Sequence, residues 1–245
     1  MKNYKLFFFG ITLVLLFFLY QKSDEIEKKI YPIFVQHLVD IPENPKNVLR
    51  IVFTGVSTPL TPHIAQQSVV LDINGSIYVF DVGARSVANF ISQGTLDAAK
   101  IKAVFITHTH SDHISGLGEL VLASWVRGRT NSLDVFGAGS ELKNVVDGFN
   151  LAYQSDREHR VIHHGEKFLK EENGLLAPKT FEIPEEETTI YFDENISVNA
   201  FKVPHGPVQG AVGYRIICGD RSIIISGDTA LMEDYTFVNG VDVLI

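Results

Sequence analysis

The stretch Ile106–Leu117, "ITHTHSDHISGL", places three histidines and an aspartate within six positions, directly after an apolar run. His108, His110, Asp112 and His113 add little to a core, because their polar atoms must be satisfied if buried. The lead-in "AVFIT" (Ala103–Thr107) is apolar and β-branched and reads as a buried strand. Residues two apart on extended chain point the same way, so His108 and His110 converge just beyond that strand. Asp112 and His113 fall where the chain turns into a helix over "ISGLGELVLASWV", whose apolar residues run nearly all round it. The turn swings their side chains back toward the first two histidines. Four neutral or anionic donors around one small volume suit a divalent cation or a pair of them. The competing reading is a polar loop whose histidines cap helix ends or face solvent. It fits a single histidine better than His-x-His-x-Asp-His after a buried strand.

This His-x-His-x-Asp-His motif resembles the signature of the metallo-β-lactamase superfamily. The likeness extends upstream to Asp81 in "SIYVFDVG", and downstream to His205 in "VPHGPVQGAVGYRI" and Asp228 in "IIISGDTA". It runs from about Val48 to Ile245. It implies an α/β fold, the metallo-β-lactamase αββα sandwich, with two sheets inside, helices outside and an incomplete C-terminal half. It also implies that one metal takes His108, His110 and His205, and a second takes Asp112 and His113. Asp228 would bridge the two, with Asp81 supporting the metal loop from behind. In the family a further motif supplies a last histidine; this chain stops at "VDVLI", so truncation is expected, with the second metal position one histidine short.

The expected cofactor is Zn2+, with Mn2+ or Fe2+ as alternatives, since imidazole and carboxylate suit all three. A metal that lowers the pKa of its water to about 7 gives hydroxide at neutral pH, with Asp112 orienting it or accepting its proton. No serine or cysteine nucleophile is implied: Ser111 lies inside the metal loop, and no Gly-x-Ser-x-Gly elbow occurs. The "HGPVQGAVGYRI" context resembles the ribonuclease Z and arylsulfatase-like branch, which implies an ester hydrolase. A small phosphate or sulfate ester is the first substrate expectation, and a ribonuclease Z-like phosphodiester the alternative. A catalytically silent, membrane-tethered metal-binding module is the third reading.

Composition suits one globular domain: 245 residues, 45% hydrophobic and 20% charged. The net charge of −8 argues against a surface built to hold nucleic acid. Cys218, the single cysteine, is expected to pack rather than bind metal. Residues 1–22 carry Lys2 and Lys5 and then an uncharged apolar run from Leu6 to Tyr20. This run reads as an uncleaved signal anchor, with a cleaved signal peptide second. Residues 23–47 read as a juxtamembrane linker and 48–245 as the hydrolase domain. The expected partners are therefore a membrane, through the N-terminal segment, and a small ester. The expected location is outside the cytoplasm.

Within the domain, "SVVLDINGSIYVFDVG" is a hairpin turning at Asn74-Gly75, where a tight turn needs positive φ. "RSVANFISQG" reads as a short helix, "SLDVFG" as a strand and "SELKNVVDGFNLAYQSD" as a helix. Residues 157–188 form the least regular section and are acidic overall, unlike the basic, glycine-rich arm with which ribonuclease Z grips tRNA. His163 and His164 in this section are assigned to the surface or a pocket rim. The strand pairs "TTIYFDENISVNAFKVPHG" and "AVGYRIICGDRSIIISGDT" then deliver His205 and Asp228 from the other half of the molecule. Residues 1–30 fused to a reporter active only after export should give signal; a reporter working only in the cytoplasm would overturn the expected location.

Overall fold

The computed structural model describes residues 48–61, 63–232 and 235–245. The expected signal anchor and juxtamembrane linker, residues 1–22 and 23–47, lie outside the described residues. Among the described residues no helix is long and apolar enough to cross a membrane.

Six strands form the first sheet, in the order β1 (Leu49–Gly55), β2 (Ser68–Ile73), β3 (Ser76–Phe80), β4 (Ile101–Phe105), β5 (Leu133–Ala138) and β6 (Leu176–Phe181). The first three pair antiparallel, and β3 to β6 pair parallel. The second sheet has the order β11 (Val243–Leu244), β10 (Arg221–Ile225), β9 (Val212–Cys218), β8 (Ser197–Lys202) and β7 (Thr188–Phe192). Its pairs are antiparallel except β10 with β11.

The first sheet is covered on both faces along its middle, which explains the unbroken apolar runs Ile77–Phe80 in β3 and Ala103–Phe105 in β4. Ile77, Val79, Val104 and Ile106 point one way. There they meet Val87 and Phe90 of helix α1 (Ser86–Ser92), Leu120 and Val121 of α3 (Leu117–Val126), and Leu142 and Val146 of α4 (Glu141–Ala152). Tyr78, Phe80, Ala103 and Phe105 point the other way, against Val198, Val212, Tyr214 and Ile223 of the second sheet. Phe80 stacks on Phe105 at 4.8 Å between centroids, and Tyr214 meets both edge-on. The outer face of the second sheet, at Phe201 and Ile224, is covered by Phe237, Val238 and Val241. The layering is that of the expected sandwich.

The β2–β3 hairpin turns at Asn74 (φ 54°) and Gly75 (φ 85°) as its sequence requires. Two expectations need correction. The helix expected over 114–126 starts only at Leu117, as α3, and a separate short helix α2 (Ser111–Ile114) precedes it, because Gly116 donates its N–H to the Val82 carbonyl at 2.8 Å instead. The helix expected over 140–156 ends at Ala152, and a second helix, α5 (Gln154–His164), follows at once. The section 157–188, read as irregular, thus contains most of α5 and all of β6. Pro178 in "LAPKTF" obscures that strand, yet β6 is a sheet edge, where proline is tolerated.

A polar latch ties the sheets together beneath the aromatic core. Tyr78 of β3 and Tyr191 of β7 both donate to Asp193 Oδ2, at 2.6 and 2.7 Å. The backbone N–H groups of Asn195 and Ile196 donate to Asp193 Oδ1. Burial opposes the Asp193 charge, but these four hydrogen bonds outweigh it and hold its pKa below the usual carboxylate value. Asp193→Ala should therefore cost about 2–3 kcal/mol in urea denaturation at pH 7, as expected for hydrogen bonds to a charged group. A depressed pKa stabilises above the unfolded-state value and is lost as pH falls through the folded one. The wild-type advantage should thus shrink below about pH 4; a constant difference down to pH 3 would contradict this role.

Candidate metal centre

The parallel strands β3 and β4 end side by side, and the residues that follow them build the centre. Asp81 follows β3 in a left-handed conformation (φ 56°) and donates its N–H to the Phe105 carbonyl at 2.9 Å. Its carboxylate turns toward the loop after β4. Oδ1 accepts the Thr107 N–H at 2.8 Å; Oδ2 accepts the Thr107 hydroxyl and the His113 Nδ1–H, each at 2.8 Å. The Thr107 oxygen, having donated to Asp81, lies 3.2 Å from His108 Nδ1 and is left to accept there. These bonds assign the protons: both His108 and His113 carry theirs on Nδ1, which leaves each Nε2 lone pair directed outward.

His108 Nε2 lies 2.9 Å from His110 Nδ1, and His205 Nε2 lies 3.3 Å from the same atom. Asp228 completes the set: one donor atom from each of His108, His110, His205 and Asp228 falls within 4.8 Å of all the others. Asp228 Oδ2 faces His205 Nε2 at 3.8 Å, while Oδ1 faces His113 Nε2 at 3.5 Å. Asp112 Oδ2 stands 3.7 Å from that same His113 nitrogen. The carboxylate of Asp228 therefore lies between two donor groups, with the three other histidines on one side and Asp112 and His113 on the other. Three imidazoles with a carboxylate fit a divalent cation of the zinc type.

Electrostatics support the same picture. Burial, reinforced by the neighbouring His113, pushes His108 down to about 3, so its imidazole is neutral and has a lone pair to give. Burial also opposes a charge on His113. There the Asp81 hydrogen bond and the fields of Asp81, Asp228 and Asp112 outweigh it, so its pKa is raised.

The second sheet reaches this loop through three contacts. The Val212 N–H donates to the Thr107 carbonyl at 3.0 Å, and the Tyr214 hydroxyl donates to the Ile106 carbonyl at 2.6 Å. Gly227, just before Asp228, has φ 60°, and a Cβ there would lie 2.7 Å from Thr107 Cβ. Only glycine lets the end of β10 come so close. The loops carrying His205 and Asp228 are joined by the Ala230 N–H to the Pro204 carbonyl.

All seven residues singled out by sequence thus gather here, including Asp81 behind the loop. His163 and His164 do not join them. His163 is exposed, but His164 at the end of α5 is buried, against its assignment to a surface or rim. Cys218 is half-buried beside Ile223 and belongs to the packing of the second sheet. Sequence reading missed Thr107, which bridges Asp81 to two histidines, and Glu141, whose carboxylate accepts from Thr109 at 3.2 Å. Thr107 lies immediately before the motif and was read only as strand; Glu141 carries no sequence signal, being one surface carboxylate among many.

The profile described as "Metallo-beta-lactamase superfamily" matches residues 62–242. Ribonuclease Z of Mycobacterium marinum is 28% identical over 187 residues, covering 74% of this chain and 63% of that protein. The chain therefore spans less than two thirds of the length of that relative. Human tRNase Z, short form, superposes with a TM-score of 0.58 at 21% identity, covering 79% of this chain and 75% of that one. The metallo-beta-lactamase fold protein YhfI of Bacillus subtilis gives 0.58 at 18% identity, covering 80% and 69%.

Zinc affinity, read by competition with a chromophoric chelator, should fall about 10–100-fold in Asp81→Asn, because that carboxylate orients the ligands. His110→Ala should lose more, and His164→Ala on α5 should bind zinc as the wild type does. An unchanged affinity in Asp81→Asn would refute the supporting role.

Proposed function

Because the chain belongs to the metallo-β-lactamase superfamily, we propose that it is a metal-dependent hydrolase of phosphodiesters, acting in the manner of a ribonuclease Z. The observation that carries the hydrolase reading is the convergence of His108, His110, His205 and Asp228 on one point. What favours a phosphodiester over a small sulfate or phosphate ester is the match to ribonuclease Z proteins across most of this chain. Section 157–188 is not a separate acidic arm: α5 and β6 belong to the body of the fold. RNA as partner, like membrane attachment through the N-terminal segment, is part of this proposal.

His108, His110 and His205 would hold one metal, Asp112 and His113 a second, with Asp228 shared between them. Such a metal, when bound, supplies an acidified water and a Lewis acid for the phosphoryl oxygen. The chain's own residues do the rest. His108 is kept neutral by burial and needs no deprotonation before it can act as a donor. Thr107 and Asp81 hold the Nδ1 protons of His108 and His113, which directs each Nε2 into the site. Asp112, nearly buried at the start of α2, is placed to take a proton from the attacking water. In the hydrolysis the water oxygen forms a bond to phosphorus, and the ester P–O bond breaks. Asp112 receives one proton, and the leaving oxygen takes its proton from solvent.

Purified protein with zinc should cleave bis-p-nitrophenyl phosphate and an RNA with a 3′ extension, and should not cleave an aryl sulfate. Asp112→Asn should lower kcat by about 100-fold or more while zinc held by His108, His110 and His205 stays bound, the range expected for general acid–base catalysis. Sulfatase activity without phosphodiesterase activity would overturn the substrate class; a zinc-loaded protein inert on all three substrates would favour a silent binding module.

A further inference from the structure

At the opposite end of the first sheet, where β3, β4 and β5 begin, lies a cavity of about 490 Å³. Its walls are the Asn74-Gly75 hairpin turn, residues 99–102 at the start of β4, and residues 129–134 leading into β5. The rise of extended chain puts Lys102 and His108 roughly 20 Å apart, so this cavity is separate from the metal centre.

Its charge is unusual. Lys100, Lys102 and Arg129 all line it, together with the hydroxyls of Ser76 and Ser132. Arg129 is only 6% exposed, and among the described residues its guanidinium donates only to neutral oxygens: Ser124 Oγ at 3.0 Å, the Val121 carbonyl at 3.5 Å and the Asn131 carbonyl. Burying a guanidinium without a bonded counter-charge is costly; burial pulls its pKa down to about 10, and the field of Asp134 offsets only part of this. The one carboxylate in the walls, Asp134, is engaged by Lys179 at 3.6 Å. Lys100 and Lys102 meet their nearest acids, Asp97 and Glu194, only at 3.9 and 3.7 Å and remain largely exposed. Three cationic residues and two serines thus line one polar space from three separate chain segments.

We propose that this cavity binds a small phosphate-bearing anion, such as inorganic phosphate or the phosphate group of a small polar monoester. The lysines supply charge from the rim. Arg129 supplies a fixed positive field from the wall, and the hydroxyls donate to the remaining oxygens. The volume falls within the usual range for small-ligand sites and exceeds what a bare phosphate needs, leaving room for a small attached group. Because Lys100 and Lys102 flank the first residue of β4, occupancy would stabilise the strand that ends in the metal loop.

Thermal unfolding of the full chain, with EDTA present and ionic strength held constant with chloride, tests this directly. Inorganic phosphate should raise Tm by about 3 °C once it exceeds its Kd about tenfold. The rise should persist in His110→Ala and disappear in Lys100→Ala/Lys102→Ala, whose changes lie on exposed side chains. NMR amide shifts on phosphate addition should map to Lys100, Lys102 and Ser132. A phosphate response lost in His110→Ala but kept in the lysine double variant would place the anion at the metal centre and overturn the proposal. So would no response to phosphate, or a response only to oligonucleotide. None of these results depends on catalytic activity, so this proposal and the proposed hydrolase can fail separately.

Discussion

Asp81 sits where the chain leaves β3 in a left-handed turn, and its carboxylate gathers the Thr107 amide, the Thr107 hydroxyl and His113 Nδ1. A buried carboxylate without such donors would be strongly disfavoured; with three of them it becomes a rigid point of reference. The motif's half of the centre is set from it. The Thr107 amide fixes where the loop leaves β4, which fixes His108 and His110. The His113 bond fixes the first turn of α2, which carries Asp112. An aliphatic residue in place of Asp81 would leave Thr107 and His113 unsatisfied together, so the loss would spread to all four residues of the motif.

The remaining architecture brings the second half of the donor set to this point. Close approach is achieved with glycine where side chains would collide: at Gly227 against Thr107, and at Gly83, where a Cβ would lie 2.2 Å from the Asp112 carbonyl oxygen. The aromatic stack of Phe80, Phe105 and Tyr214 fills the space between the sheets directly beneath the centre. Tyr214 then spends its hydroxyl on the Ile106 carbonyl, one residue before Thr107. Packing of the core and placement of His205 and Asp228 are therefore one mechanical problem rather than two.

Much of this was legible in the sequence, because the features that matter are local. Strand β4 is apolar and β-branched, the Asn74-Gly75 turn carries its own signal, and the motif spacing alone places four donors together. What was not legible depends on contacts distant in sequence. Nothing local ends α4 at Ala152; Tyr153 turns there and packs against Gly118 of α3, where a Cβ would lie 2.4 Å from its ring. Strand β6 is held by its pairing with β5, which overrides Pro178. His164 is buried because α5 packs on the body of the fold, and the histidine pair gives no hint of which member faces inward. Thr107 reads as the last residue of a strand until Asp81 is seen opposite it.

Asp81 and Thr107 orient the loop whose His108 and His110 meet His205 and Asp228. Crystals of the zinc-soaked protein, measured on both sides of the zinc absorption edge, test it most directly. An anomalous peak bonded to all four of these residues is expected, with Asp81 still hydrogen-bonded to His113 and Thr107. A peak at His163 and His164, or none at the four residues under saturating zinc, would contradict it.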